Sequence, residues 1–340
     1  MKIAIAKTNI EEETSCWIKY CKDNNISCVL VDPYDTDVVS KVEDCDVFMW
    51  HHSQNNYKDI LFANQLLFSL QQAGKIVYPD FYSNWHFDDK LGQKYLMEAI
   101  CAPLVKTYVF YEKDAALKWA KSTNYPKVFK LRCGAASTNV RLVHSYSDCK
   151  RYINKAFGKG FPAFDSFNNL KECIKQKQGL KKFLSAIYRI LIPPKEFKFF
   201  NKEMGYVYFQ DFMPGNEYDT RVVIIAGKYA CAERRNNRKG DFRASGSGSF
   251  SYDGIDEKII AIAFKIAKKL QMQTVAFDFV YDEQKNPRIV EYCFGFGVGG
   301  LRNSPGYYTE DMVWHVCEDV PVFEWVIDYI TKDYIIDNQI

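Results

Sequence analysis

The stretch Val275–Gly295, VAFDFVYDEQKNPRIVEYCFG, governs how the rest of the chain is read. DEQKNP separates two runs rich in Phe, Val, Ile and Tyr, so the segment predicts an antiparallel hairpin with that hexapeptide as its turn. Each apolar run carries an acid, Asp278 in the first and Glu291 in the second. The register that sets Tyr281 opposite Arg288 also sets Asp278 opposite Glu291. Side chains alternate along a strand, so both acids then project from one face with Ala276, Val280, Ile289 and Cys293. Phe277, Phe279, Val290 and Tyr292 fill the other face. Directly opposed β-carbons lie about 4.5–5.5 Å apart, where like charges repel. A divalent cation between the carboxylates would offset that, since Mg²⁺ takes one or two carboxylates plus substrate phosphates. A solvated outer face, or a bridge to an arginine from elsewhere in the chain, would do so as well.

Working outward, Ile255–Leu270 predicts an amphipathic helix with Ile259, Ile262, Ile266 and Leu270 on one stripe and Lys265, Lys268 and Lys269 near its end. Further upstream, YVYFQDFM and TRVVIIAGKYACAERR read as strands, and YPKVFKLRCGAASTNVRLV as two strands around a small-residue loop. KTYVFY is a strand, Asp114–Lys121 a helix, and the segment from Tyr82 a loop that enters a helix at Asp89 and ends before Pro103. In the first eighty residues, four short apolar runs (KIAIA, SCVLVD, CDVFMW and KIVYP) alternate with helical Glu11–Asn24 and Ile60–Gln72. That pattern predicts a doubly wound α/β unit. Its first strand-to-helix turn, AKTNIEEE, lacks the glycines a dinucleotide needs, which disfavours nicotinamide binding. The predicted division is 1–84, 85–205 and 206–340, with each unit able to bury its own core.

Composition narrows the classes. Of 340 residues 47% are apolar and 26% charged, and no apolar run approaches the roughly eighteen residues a bilayer span needs. The start, MKIAIAKTNIEEE, reads as a buried first strand rather than a secretory signal. Eleven scattered cysteines without a CxxC pair read as reduced thiols, so the expected compartment is the cytoplasm. The five histidines show no metal spacing, and His51-His52 are set at the end of a strand, so zinc is not expected. The net charge of +3 hides an asymmetry: Lys150–Lys202 holds 13 Lys and Arg against 3 Asp and Glu, leaving 32 basic and 39 acidic residues elsewhere. With the excess confined to one stretch and no recognisable module, nucleic acid is not an expected partner.

Two further segments carry positive charge toward small-residue loops. Lys130 ends a strand just before Gly134-Ala135-Ala136-Ser137, a loop small enough for backbone N–H groups to wrap phosphate oxygens, although it does not match GxxxxGK[ST]. Such a loop alone is more often a plain hairpin turn. Lys90 sits at a helix start after FDD. ERRNNRKGDFRASGSGS brings Arg234, Arg235, Arg238 and Arg243 together, either as an exposed basic loop or as a mobile substrate loop whose guanidiniums take carboxylate or phosphate.

Lys90, VFKL with its small-residue loop, YFQDFMPGNEYDTRVVIIAGKYACAERRNNRKGDFR, AFDFVYD and RIVEYC occur in an order that resembles the ATP-grasp superfamily. The nearest likeness is to the ligases that add glutamate to ribosomal protein and to the glutathione synthetase-like group. The resemblance covers roughly residues 85–300. It implies an α/β protein, α+β in its ATP-binding part, behind an N-terminal doubly wound domain. It also implies ATP and Mg²⁺ as cofactors. By position, Lys90 and Lys130 resemble the two lysines that contact the phosphates and the adenine side, with Gly134 and Ser137 in the phosphate loop. Gln210, Asp211, Phe212 and Met213 resemble the hinge strand at the adenine edge, and Glu217 or Asp219 stands near the ribose. Arg221 matches a D-x-R strand. Arg235 and Arg243 resemble the arginines that hold the γ-phosphate and an acyl phosphate, with Arg234 an alternative to Arg235. Asp278 and Glu291 match the Mg²⁺ carboxylates. One departure is Cys293, where the family usually has an Asn metal ligand; a neutral thiol suits Mg²⁺ poorly.

The reaction implied joins a substrate carboxylate to an amine through an acyl phosphate, releasing ADP and phosphate. A thiol or hydroxyl acceptor, or nucleotide binding without turnover, are the alternatives. The second departure is the enlarged basic stretch near 150–202. There LKKFLSAIYRILIPP sets Leu180, Phe183, Leu184, Ile187 and Leu191 in a stripe, either for the core or for contact with anionic lipid or another anionic partner. GFGVGG after Cys293 reads as a loop lining the acceptor site or as an ordinary turn. A homodimer is the default assembly.

Overall fold

Four parallel strands open the chain: β1 (Lys2–Ala6), β2 (Ser27–Val31), β3 (Val47–Met49) and β4 (Ile76–Tyr78), ordered β2-β1-β3-β4. The computed structural model describes residues 1–8, 11–134, 139–162, 170, 173–174 and 180–333. Helices α1 (Glu11–Asp23), α2 (Val38–Lys41) and α3 (Tyr57–Gln72) make the connections between these strands. Parallel neighbours require such crossovers, which cover both faces, and this is why residues 3–6 and VFM are apolar throughout rather than alternating. After α4 (Phe81–Asn84), α5 (Lys90–Ala99) starts where its cap dictates: the Asp89 carboxylate accepts the N–H groups of Leu91 and Gly92.

A second sheet, ordered β5-β8-β6-β7, contains β5 (Thr107–Phe110), β6 (Lys127–Lys130), β7 (Arg141–Val143) and β8 (Val207–Asp211), all paired antiparallel. α6 (Lys113–Ser122) and α7 (Tyr146–Ala156) cover it, packing Ala116 and Ile153 against Phe129 and Phe209. In α8 (Leu180–Leu191) the core reading of the apolar stripe holds for Phe183 and Ile187 and is corrected for Leu184 and Leu191. Leu184 is 55% and Leu191 74% exposed, because the helix turns Ala186 inward with half-buried Phe183, Ile187 and Ile190 on the same line. Much of the basic stretch preceding it lies outside the described residues.

The third sheet, ordered β13-β12-β9-β10-β14-β15, is built from β9 (Tyr218–Ile225), β10 (Tyr229–Asn236), β12 (Thr274–Tyr281), β13 (Pro287–Cys293), β14 (Gly306–Thr309) and β15 (Trp314–Val316). β11 (Phe250–Ser251) joins β10 at its end. α9 (Glu257–Lys269) lays Ile259, Ala263, Ile266 and Ala267 on one face of this sheet. The other face is shared with the first sheet. Ile3, Trp17, Val47, Val223, Ala276 and Phe323 belong to one apolar cluster, and the Trp17 indole N–H donates to the Phe323 carbonyl at 3.2 Å. α10 (Val322–Asp328) is therefore packed against α1, with the Tyr20 hydroxyl 2.6 Å from Asp328. The first eighty residues bury a core of their own on one face of their sheet, where Ala4, Phe48, Trp50, Leu67 and Val77 pack together, while the other face is completed by the far end of the chain.

The hairpin forms as expected, with Asp278 opposite Glu291, but the regular register beyond it does not hold. Phe279 faces Ile289 and Tyr281 faces Pro287, so Val290 is one residue extra on β13, a β-bulge. The cause lies elsewhere in the chain. Ile289 is held from its other side by Pro103 and Val105, its N–H bonding the Pro103 carbonyl at 2.8 Å and its carbonyl accepting the Val105 N–H at 2.9 Å. The bulge exchanges the predicted faces of two residues: Ile289 is fully buried with Phe277 and Phe279, and Val290 turns to the opposite side.

Candidate active site

A cavity of about 470 Å³ lies where the second and third sheets meet the loop after β3. Its floor follows from register. Glu291, Asp278, Arg221 and Glu233 stand side by side across β13, β12, β9 and β10. Arg221 grips Asp278 with two hydrogen bonds of 2.8 and 3.0 Å. Arg235 adds a contact of 2.7 Å to Asp278 and two of 2.7 and 2.6 Å to Asp219. Burial pushes Asp278 up, but Arg221 and Arg235 outweigh it and hold the carboxyl well below the usual range. Of the accounts of the opposed acids, the arginine bridge therefore applies to Asp278. Glu291 is 36% exposed and meets Lys90 at 3.0 Å; against burial, Lys90 and Lys130 hold it below its ordinary value.

The facing wall centres on β6. Lys130 lines the cavity and donates to the Val290 carbonyl at 3.1 Å, the group that the bulge turns inward. Burial pushes its ammonium down to about 8. Lys90 stands behind Glu291 and also donates to the Gly134 carbonyl at 2.9 Å. The Gly134 N–H is held at 2.7 Å by Asp88, a residue the sequence reading passed over, whose carboxyl burial pushes up to about 6. Ser137 lies outside the described residues.

Gln210, Asp211, Phe212 and Met213 all line the cavity along the end of β8. Gln210 donates to the Thr107 hydroxyl at 3.2 Å, Asp211 holds Lys127 at 2.7 Å, and Phe212 packs edge-on to Phe242. The two ribose candidates separate: Asp219 is committed to Arg235, and Glu217 is exposed and off the cavity wall. Strand alternation also separates the arginines. Arg235 faces inward, whereas Arg234 points to the other face of β10, over the Tyr218 ring. Arg243 lines the cavity and forms a two-pronged pair with Asp241, at 3.0 and 2.6 Å.

Glu233 was missed in sequence, where it reads as the edge of a basic loop. It is 2% exposed, and its Oε2 finds no hydrogen-bond partner among the described residues. Burial pushes its carboxyl up to about 7 against the pull of Arg221 and Arg235. A side chain on Gly300 would overlap the Glu233 carboxylate and displace it. The one available signal was its i, i−2 spacing from Arg235, which puts both on one face of a strand.

The donor set suits a hard cation that brings its own phosphates. Asp278 and Glu291 are ionised oxygen donors on the cavity face, and Mg²⁺ needs no more than two carboxylates from the protein. Among the described residues no cluster of three or more His, Cys, Asp or Glu side chains could hold a metal ion by itself. Burial pushes the Cys293 thiol up to about 12, so it stays protonated and offers neither a thiolate ligand nor a nucleophile. Gly295, Phe296 and Gly297 of GFGVGG line the far end, where His51, Ser53, Gln54 and Asn55 enter from the first sheet. Among the described residues no helix is long and apolar enough to cross a membrane.

No curated protein sequence matches the chain. Solved structures do. An ATP-grasp RimK domain protein from Sphaerobacter thermophilus superposes with a TM-score of 0.60 at 16% identity, covering 97% of this chain and 99% of that one. D-cycloserine synthetase DcsG gives 0.61 at 12% identity, covering 98% and 99%. The ATP-grasp ligase PsnB, solved with a minimal precursor, Mg and ADP, gives 0.54 at 11%, covering 97% and 98%. At such identities these likenesses speak for the fold, and they bear out the expected ATP-grasp architecture. Residues 127–304, from β6 past the bulged hairpin to Ser304, match the description RimK-like ATP-grasp domain. That segment spans more than half of the 340 residues and carries both walls of the cavity, and so the chain belongs to the RimK-like ATP-grasp family.

Proposed function

We propose that the cavity binds ATP with Mg²⁺ and that the protein joins a substrate carboxylate to an amine through an acyl phosphate, releasing ADP and phosphate. One observation carries this reading: ionised Asp278 and Glu291 and the cations Lys130, Arg235 and Arg243 converge on a single cavity of about 470 Å³. Asp278 and Glu291 would hold the Mg²⁺, which when bound neutralises phosphate charge and polarises the transferred group. Lys130, beside Gly134, supplies a point charge to the phosphates. Arg235 and Arg243, each held flat by a carboxylate partner, present preset guanidiniums to the γ-phosphate and to the acyl phosphate that follows. Arg221 fixes Asp278, and residues 210–213 form the edge that receives the base. The chain thus acts by positioning and charge compensation, with no side-chain nucleophile.

The test supplies ATP, Mg²⁺ and N-acetylated amino acids, sugar acids or acidic peptides as carboxylates, with hydroxylamine as trap. A carboxylate-activating ligase releases ADP and yields a hydroxamate. ADP without hydroxamate would reassign the protein to a hydroxyl acceptor, and no ADP with any acid would overturn the reading.

A further inference from the structure

Two adjacent histidines close the end of β3 and meet opposite surroundings. His52 is 2% exposed, with Nε2 2.8 Å from the Asn84 side-chain oxygen and its ring packed between Phe87 and Phe294. Burial pushes it down to about 3, so it is a neutral packing residue. His51 instead lines the cavity, with Nδ1 paired to the carboxylate of Glu13 on α1, a residue only 2% exposed. That pairing leaves Nε2 as the free nitrogen. Among the described residues it has no hydrogen-bond partner, and it lies against Gly295, where a Cβ would come within 2.9 Å of it. Burial works against the charged ring, but Glu13 outweighs it and raises the imidazole above its ordinary value. The charged and titratable groups that act on the ring are Glu13 and neutral His52; Phe294 and Gly295, from the end of the hairpin, carry no charge.

We infer that His51, oriented by Glu13, takes the proton from the acceptor amine, and that the cavity end beside it, with Ser53, Gln54 and Asn55, is the amine subsite. This rests on the ligase reading above. An ordinary amine must reach the acyl phosphate unprotonated and shed a second proton as the amide forms. Its lone pair attacks the carbonyl carbon, the C–N bond forms, and the C–O bond breaks with its electron pair leaving on phosphate. The N–H proton passes to His51 Nε2, where Glu13 offsets the imidazolium charge until solvent takes the proton. Asp88 and Lys130 also line the cavity, but both are engaged in the phosphate wall, on the Gly134 N–H and the Val290 carbonyl.

The test compares two acceptors with the same mixture of N-acetylated amino acids and MgATP: glycinamide, protonated at neutral pH, and hydroxylamine, largely unprotonated there. In His51→Gln the ratio of the glycinamide rate to the hydroxylamine rate should fall by about 100-fold. Because His51→Gln leaves a buried carboxylate alone, the double variant Glu13→Gln/His51→Gln is measured alongside, with folding followed by thermal melting, and its ratio should fall equally. In Glu13→Gln alone the imidazole loses what raises it, so the acid limb of the glycinamide rate should move to lower pH. An unchanged ratio in both His51 variants, or an unmoved limb in Glu13→Gln, overturns the inference while leaving the ligase reading intact. ADP release with neither acceptor in the unaltered protein removes the ligase reading itself, and this inference with it.

Discussion

On the cavity wall formed by β9, β10 and β12, the guanidiniums of Arg221 and Arg235 each meet a carboxylate of the same sheet. Across the gap, among the described residues, Lys130 hydrogen-bonds a main-chain carbonyl alone; Glu291 attracts it from nearby, yet burial has already moved its ammonium down to about 8. The first arrangement neutralises its charges internally and so fixes geometry. The second leaves a cation whose full compensation must come from an incoming anion. Charge in this cavity thus ranges from groups that hold the scaffold in shape while they face the ligand to a group that has little structural part to play.

The largest expected effect breaks the scaffold side. Arg235→Met deprives two buried carboxylates, Asp219 and Asp278, of a partner and should cost about 3–5 kcal/mol in urea unfolding. A loss under about 1 kcal/mol would mean that the lattice is not structural. Lys130→Met should do the reverse, weakening MgADP binding about ten- to hundredfold in calorimetry while changing stability by no more than about 1 kcal/mol. The same lysine predicts a pH slope: above pH 8 the free protein has lost the ammonium, so binding must take up a proton and affinity should fall by up to about tenfold per pH unit. Lys130→Arg, charged throughout, should flatten that slope. The smallest effect concerns Glu217: exposed and off the wall, its change to Ala should alter MgADP affinity by less than about twofold.

What could be read in the sequence was local. Counting along DEQKNP and applying the period of two sufficed to place Asp278 opposite Glu291, and the acid ahead of Lys90 marked a helix start. Contacts decided by strand order were hidden. Arg221 reaches Asp278 only because β9 lies beside β12, and nothing in either segment states that neighbourhood. The bulge was hidden for the same reason, being imposed by Pro103–Val105 on Ile289 from far away in the chain. His51 and Glu233 escaped because each draws its meaning from a partner, Glu13 or Arg221, on another element.

The extra residue on β13 makes two neighbouring positions serve the cavity by different means: Glu291 through its side chain and Val290 through its peptide oxygen. A side-chain ligand can be lost in a single codon change, but a peptide oxygen survives any substitution that keeps the backbone path. The seat of Lys130 is therefore insulated from drift at position 290, and it is the length of this strand, more than its spelling, that relatives should be unable to alter.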